Sequence, residues 1–121
     1  MLLTPEKKRK YSLGWRKRED ARKQLLGKRK TEALKKARAA AKFLKEKYGV
    51  QVYLFGSLAW GGFWEKSDID LALEGLDDPK QYLKVFGEAW EVVSPFELDL
   101  VMFQDIDDDF RNEIRSRGVA L

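Results

Sequence analysis

Between residues 31 and 48, Ala33, Leu34, Ala37, Ala40, Ala41, Leu44 and Tyr48 recur three and four positions apart. That spacing gathers them on one stripe of a helix, with Lys35, Lys36, Arg38, Lys42 and Lys45 mostly outside it. Gly49 supplies the stop. Upstream, Thr4-Pro5-Glu6 reads as a helix start: a capping hydroxyl, a proline suited to the first turn, and an acid at the positive end. Gly14 and Gly27 weaken continuity, so the pattern predicts two helices or a kinked one. Downstream the period changes. Residues 50–55 form a β-rich run ending at Gly56-Ser57, with a helix expected from Leu58. Residues 69–73 form a second apolar strand, entered from Asp68. Residues 79–91 read as a helix with Tyr82, Leu83, Phe86 and Trp90 on one side. Residues 96–103 are a third strand with Asp99 at its centre, and 107–117 a short final helix before Gly118 and an apolar tail. The predicted class is α+β (α/β), helices packed on a small mixed β-sheet. A basic helical extension over 1–30 precedes the folded domain, 31–121.

The chain has 121 residues, 44% of them hydrophobic, which suits one domain with a real core. No apolar run approaches the ~20 residues of a membrane helix. The N-terminus lacks the order of a secretory signal, so a cytoplasmic location without membrane contact is expected. Charge sharpens the division into two parts. Residues 1–48 carry 18 Lys/Arg against 5 Asp/Glu, whereas 49–121 carry 6 against 15. The basic arm, residues 7–47, has three readings: a solvated helical face, a nucleic-acid contact, or a dock for an acidic partner. Its amphipathic stripe favours the partner.

There is no cysteine and no histidine. Thiol nucleophiles, Cys/His zinc sites, Ser-His-Asp triads and imidazole bases are thereby excluded. Any metal must be held by oxygen, which favours magnesium, manganese or calcium.

Asp68-Ile69-Asp70 stands out. Alternate strand residues share a face, so both carboxylates point one way while Ile69 and Leu71 enter the core. Asp99 lies in Phe96-Glu97-Leu98-Asp99-Leu100-Val101, where a charge is costly unless paired or metal-bound. If the strands of Asp70 and Asp99 are neighbours, three carboxylates converge. Gly56-Ser57, between a strand and a helix, offers close backbone approach and a hydroxyl to an anion. The bland alternatives are solvent-facing sheet residues and an ordinary turn. Asp105-Ile106-Asp107-Asp108-Asp109 fails as a calcium loop, because Phe110 and Ser116 stand where Gly and Glu are needed. Trp60, Phe63 and Trp64 suit base stacking, a partner contact or packing; Trp15 and Trp90 read as packing residues.

Phe55-Gly56-Ser57, ten residues, then Asp68-Ile69-Asp70-Leu71 and a later strand aspartate resemble the signature of the nucleotidyltransferase superfamily that includes DNA polymerase beta. In size the chain resembles the minimal nucleotidyltransferases often encoded beside a small helical HEPN protein. The resemblance implies a nucleotidyltransferase fold, with Gly56 and Ser57 holding the β- and γ-phosphates of ATP. It implies that Asp68, Asp70 and Asp99 bind two Mg2+ ions. It further implies transfer of AMP to a protein hydroxyl, a tyrosine of a cognate HEPN ribonuclease toxin, with this chain as an antitoxin in a hetero-oligomer. One departure is visible: many relatives read Gly-Ser-Arg-x-Arg-Gly, and here Leu58 and Trp60 replace both cations. That departure keeps a second reading open, neutralisation of the toxin by contact alone. A third reading is nucleotidyl transfer to RNA or to a small molecule.

Overall fold

The computed structural model describes residues 5–64 and 66–121, with side chains from Gly14 onward. The expected Thr4 cap lies outside the described residues. A single helix, α1 (Pro5–Tyr48), occupies the first part of the chain. Its 44 residues span about 66 Å. The expected break at Gly14 or Gly27 does not occur. Each glycine costs only about 1 kcal/mol relative to alanine, and the surrounding Lys, Arg, Leu, Glu and Ala are good helix formers. The Thr31 hydroxyl also donates to the Gly27 carbonyl at 3.0 Å. The apolar stripe behaves as its spacing predicts: Ala33, Ala37, Ala40, Ala41 and Leu44 are buried. Four of these five are alanines, which let the helix lie close to what it covers.

The remainder is β1 (Gln51–Phe55), the single turn α2 (Ser57–Trp60), β2 (Ile69–Glu74), α3 (Tyr82–Val93), β3 (Leu98–Met102), α4 (Asp108–Arg117) and β4 (Val119–Ala120). One mixed sheet has the order β3-β2-β1-β4. β1 is antiparallel to β2 and to β4, and β2 is parallel to β3. The C-terminal end of β1 and the N-terminal ends of β2 and β3 therefore meet at one end of the sheet.

Both faces are covered, which explains why four of the six β2 residues are apolar and buried. On one face Val52, Leu54, Ile69, Leu71, Leu73, Leu98, Leu100 and Met102 join the core formed with α1 and α3. On the other, Phe55, Ala72, Phe103 and Ile114 make a smaller core beneath α4. Residues 70 and 99 fall on this second face by the alternation of side chains along a strand.

Three details depart from expectation. The apolar tail is a strand, β4. Gly118 permits it: a Cβ there would run into the carbonyl oxygens of Ile114 and Leu54, so only glycine lets the tail approach β1. The helix predicted over residues 79–91 opens as a 3-10 turn (Pro79–Gln81), capped by the Asp78 side chain, which accepts from the Lys80 amide at 2.9 Å. Its buried face is Val85, Ala89 and Val93. Tyr82 and Phe86 sit on the rim, whereas Leu83 is 80% exposed and Trp90 49%. Small and β-branched residues fit the seam between α3 and α1, and the bulkier ones are displaced outward. Trp15 is not a packing residue either, at 59% exposure. Across the seam, Lys47 Nζ and the Tyr48 hydroxyl both donate to Glu88, at 2.6 and 2.8 Å. No described helix is long and apolar enough to cross a membrane.

Candidate active site

At the open end of the sheet the parallel register sets Asp70 directly beside Asp99. The antiparallel register sets Phe55, the residue before Gly56, on the other side of Asp70. Asp68 lies just before β2 and is exposed, as is Asp99, while Asp70 is half-buried. Ile69, between the two aspartates, is fully buried on the opposite face, and its amide donates to the Glu97 carbonyl at 2.9 Å. That bond locks the start of β2 against the approach to β3 and holds the acidic residues in register.

Burial and the neighbouring acids act together on Asp70. Its carboxyl is pushed up to about 6, first by burial, then by the negative charges of Asp99 and Asp68. Tyr82 senses the same field. Its hydroxyl donates to the Leu100 carbonyl at 2.7 Å, and its pKa is raised by burial and by Asp99 and Asp105. The sequence offered no sign of this, since Tyr82 lies on a different element from the acids.

Gly56 connects β1 to α2 with φ 72° and ψ −159°, a region essentially reserved for glycine. It leans on Asp70: a Cβ there would overlap the Asp70 carboxylate. The absent side chain thus lets the Asp70 carboxylate pack directly against the Gly56 backbone. Ser57 begins α2, partly exposed. With only four residues, α2 contributes little macrodipole, since the dipole is a sum over aligned peptides. An anion bound here would have individual backbone N–H groups and the Ser57 hydroxyl as its donors.

Leu58 and Trp60, where relatives carry cations, have structural explanations. Leu58 is buried in the main core, and Trp60 packs near Phe55 with ring centroids 6.3 Å apart. A cation returns from elsewhere in the chain, because the Arg117 guanidinium lies 4.5 Å from the centre of the Trp60 ring. Arg117 is at the end of α4, remote in sequence, and no local motif could have announced it. Of the other aromatics, Phe63 is buried and Trp64 is 56% exposed.

Sequence-predicted Gly56, Ser57, Asp68, Asp70 and Asp99 are therefore brought to one end of the sheet. Among the described residues, no group of three or more acidic side chains is drawn together tightly enough to hold an ion by itself. The donors nonetheless suit a hard divalent cation. They are all oxygen, and Asp70 carries an electrostatic penalty that a cation would relieve.

A four-stranded mixed sheet with helices on both faces, and an acidic cluster beside a glycine-serine turn, define a nucleotidyltransferase fold. The sequence model of the family described as Polymerase beta, Nucleotidyltransferase matches residues 39–121. The chain belongs to that family. No curated protein matches the chain at a significant level.

Proposed function

We propose that this chain transfers AMP from ATP to a hydroxyl of a partner protein, a tyrosine of a HEPN ribonuclease toxin, and so acts as an antitoxin. The observation that carries nucleotidyl transfer is the in-register pair Asp70 and Asp99, with Gly56 against the Asp70 carboxylate. Gly56 and Ser57 receive the β- and γ-phosphates through backbone N–H groups and the serine hydroxyl. Arg117, stacked on Trp60, adds a positive charge beside that turn. Asp68, Asp70 and Asp99 are the residues that would hold magnesium, which when bound supplies charge neutralisation and a more acidic acceptor hydroxyl. The acceptor oxygen forms a bond to the α-phosphorus as the bond from that phosphorus to the oxygen bridging to the β-phosphate breaks. Pyrophosphate leaves, and the hydroxyl proton passes to Asp99. Exposure of Asp68 and Asp99 supports a macromolecular acceptor, since a side chain on another protein can reach them. The protein acceptor and the toxin identity rest on the resemblance to minimal nucleotidyltransferases.

A second reading, transfer to an RNA end, is favoured by one observation: cations line the cleft between α1 and the Pro95-Phe96 turn. The two are separated by incubating the chain with ATP, Mg2+ and either the product of the neighbouring gene or RNA, then weighing both acceptors. Addition of AMP to the protein, lost in Asp70→Asn, supports the first reading. Tailing of RNA alone replaces it with the second.

A further inference from the structure

Helix α1 continues past the end of the sheet where the carboxylates lie. There, residues 22–32 face Lys66 and the Pro95-Phe96 turn across a cleft of about 730 Å³. Four of its lining residues are cations, Arg22, Lys28, Arg29 and Lys66, against one acid, Glu32. A second hollow of about 290 Å³ shares Arg22 and Leu26 with the first and adds Lys23, Glu19 and Trp64. The two adjoin at Arg22 and Leu26 and together make a basic groove with the Trp64 indole at its side.

Three features mark this groove as a polyanion site with a preference for unpaired bases. First, its cations have few acidic partners. Among the described residues the only ion pair involving them is the loose Arg22–Glu19 contact at 3.5 Å. Second, Arg29 is oriented. Its guanidinium lies 4.8 Å from the centre of the Phe96 ring, and its Nε is buried without a hydrogen-bond partner among the described residues. Third, Trp64 is 56% exposed and offers a face on which a base can stack. The rest of α1 points to the same ligand. Along residues 14–30, Arg16, Lys17, Arg18 and Lys30 add to the groove's cations, with Asp20 as the further acid. Leu25, Leu26, Pro95 and Phe96 line the groove between these cations and give bases an apolar surface.

We propose that this groove binds single-stranded nucleic acid, with phosphates along Arg22, Lys28, Arg29 and Lys66 and a base stacked on Trp64. A basic groove with an exposed aromatic is the arrangement by which single strands are held without sequence preference. The groove also reaches the carboxylate end. Lys66 stands two residues before Asp68, a separation of at most about 7 Å. The proposal does not depend on which hydroxyl accepts the nucleotide in the reading above.

The test uses the full chain and a fluorescein-labelled oligouridylate of about 12 nucleotides, within the usual range of single-strand sites. Anisotropy titrations at several salt concentrations should show binding that weakens linearly in log–log form, with a slope of about −3 for four to five phosphates neutralised. Arg29→Glu with Lys66→Glu should weaken binding tenfold or more and flatten that slope. Trp64→Ala should weaken it about tenfold with the slope unchanged. All three positions are outside the main core, and circular dichroism confirms that each variant folds. Asp70→Asn should bind the oligonucleotide as the parent does, which separates this result from any failure of AMP transfer. The proposal is overturned by absence of binding at low salt. It is also overturned if a duplex of equal length binds more tightly, if polyglutamate competes as well as the oligonucleotide, or if the variants bind like the parent.

Discussion

The carboxylate of Asp70 fills the space in which a side chain on Gly56 would stand. The two residues belong to different elements, and their contact couples the turn after β1 to the acidic end of β2. Gly56→Ala must move one or the other while forcing alanine to a φ of 72°. The expected cost is about 1–3 kcal/mol of stability, with loss of ATP binding. Urea denaturation and nucleotide titration measure the two effects. A Gly56→Ala protein as stable as the parent would contradict the geometry described.

Asp70 also predicts a pH dependence. Its folded pKa of about 6 lies above the ordinary 3.8, so between those values the folded chain binds more protons than the unfolded one. Stability of the metal-free protein should therefore fall as pH rises through that window and level off above it. Asp70→Asn should raise Tm at pH 7 and shrink the slope. Thermal scans from pH 4 to 7.5 test this, and a slope of opposite sign would remove the electrostatic argument.

Asp99 is exposed, so Asp99→Asn should leave Tm nearly unchanged while reducing AMP transfer by about 100-fold or more. Chelation of divalent cations should do the same to the parent protein. If Asp99→Asn transferred AMP at the parental rate, proton transfer and metal binding would have to be assigned to other groups.

Arg117 should matter for the nucleotide rather than for the fold. Arg117→Ala removes the cation beside Trp60 and should raise KM for ATP about tenfold, the scale of one charge-assisted hydrogen bond. Steady-state kinetics at fixed acceptor distinguish this from a loss in kcat. An unchanged KM would place the triphosphate elsewhere.

Two leucines test the packing. Leu44 is fully buried on the inner face of α1, whereas Leu83 is 80% exposed on α3. Leu44→Ala should cost about 2–5 kcal/mol, and Leu83→Ala within about 0.5 kcal/mol. Equal costs by denaturant titration would mean that α3 is rotated from the orientation described.

Much of this was legible in local pattern. The stripe from Ala33 to Leu44 has a helical period, the runs around Leu54, Leu71 and Leu100 have strand character, and Asp68-Ile69-Asp70 alternates as a strand must. Those features depend on neighbours two to four residues apart, which the chain itself specifies. The α1 glycines were misjudged because one unfavourable residue is outvoted by many favourable ones over 44 positions. The face of α3 was misjudged because hydrophobicity alone ranks Leu83 and Trp90 above Ala89, while the seam with α1 selects for shape. What only the tertiary structure decided are relationships between distant segments: Asp70 beside Asp99, Gly56 against Asp70, Arg117 over Trp60, and Lys66 across a cleft from α1. Each depends on strand order, register or the course of a helix past the sheet, and these are settled by the packing of the whole chain rather than by any stretch of it.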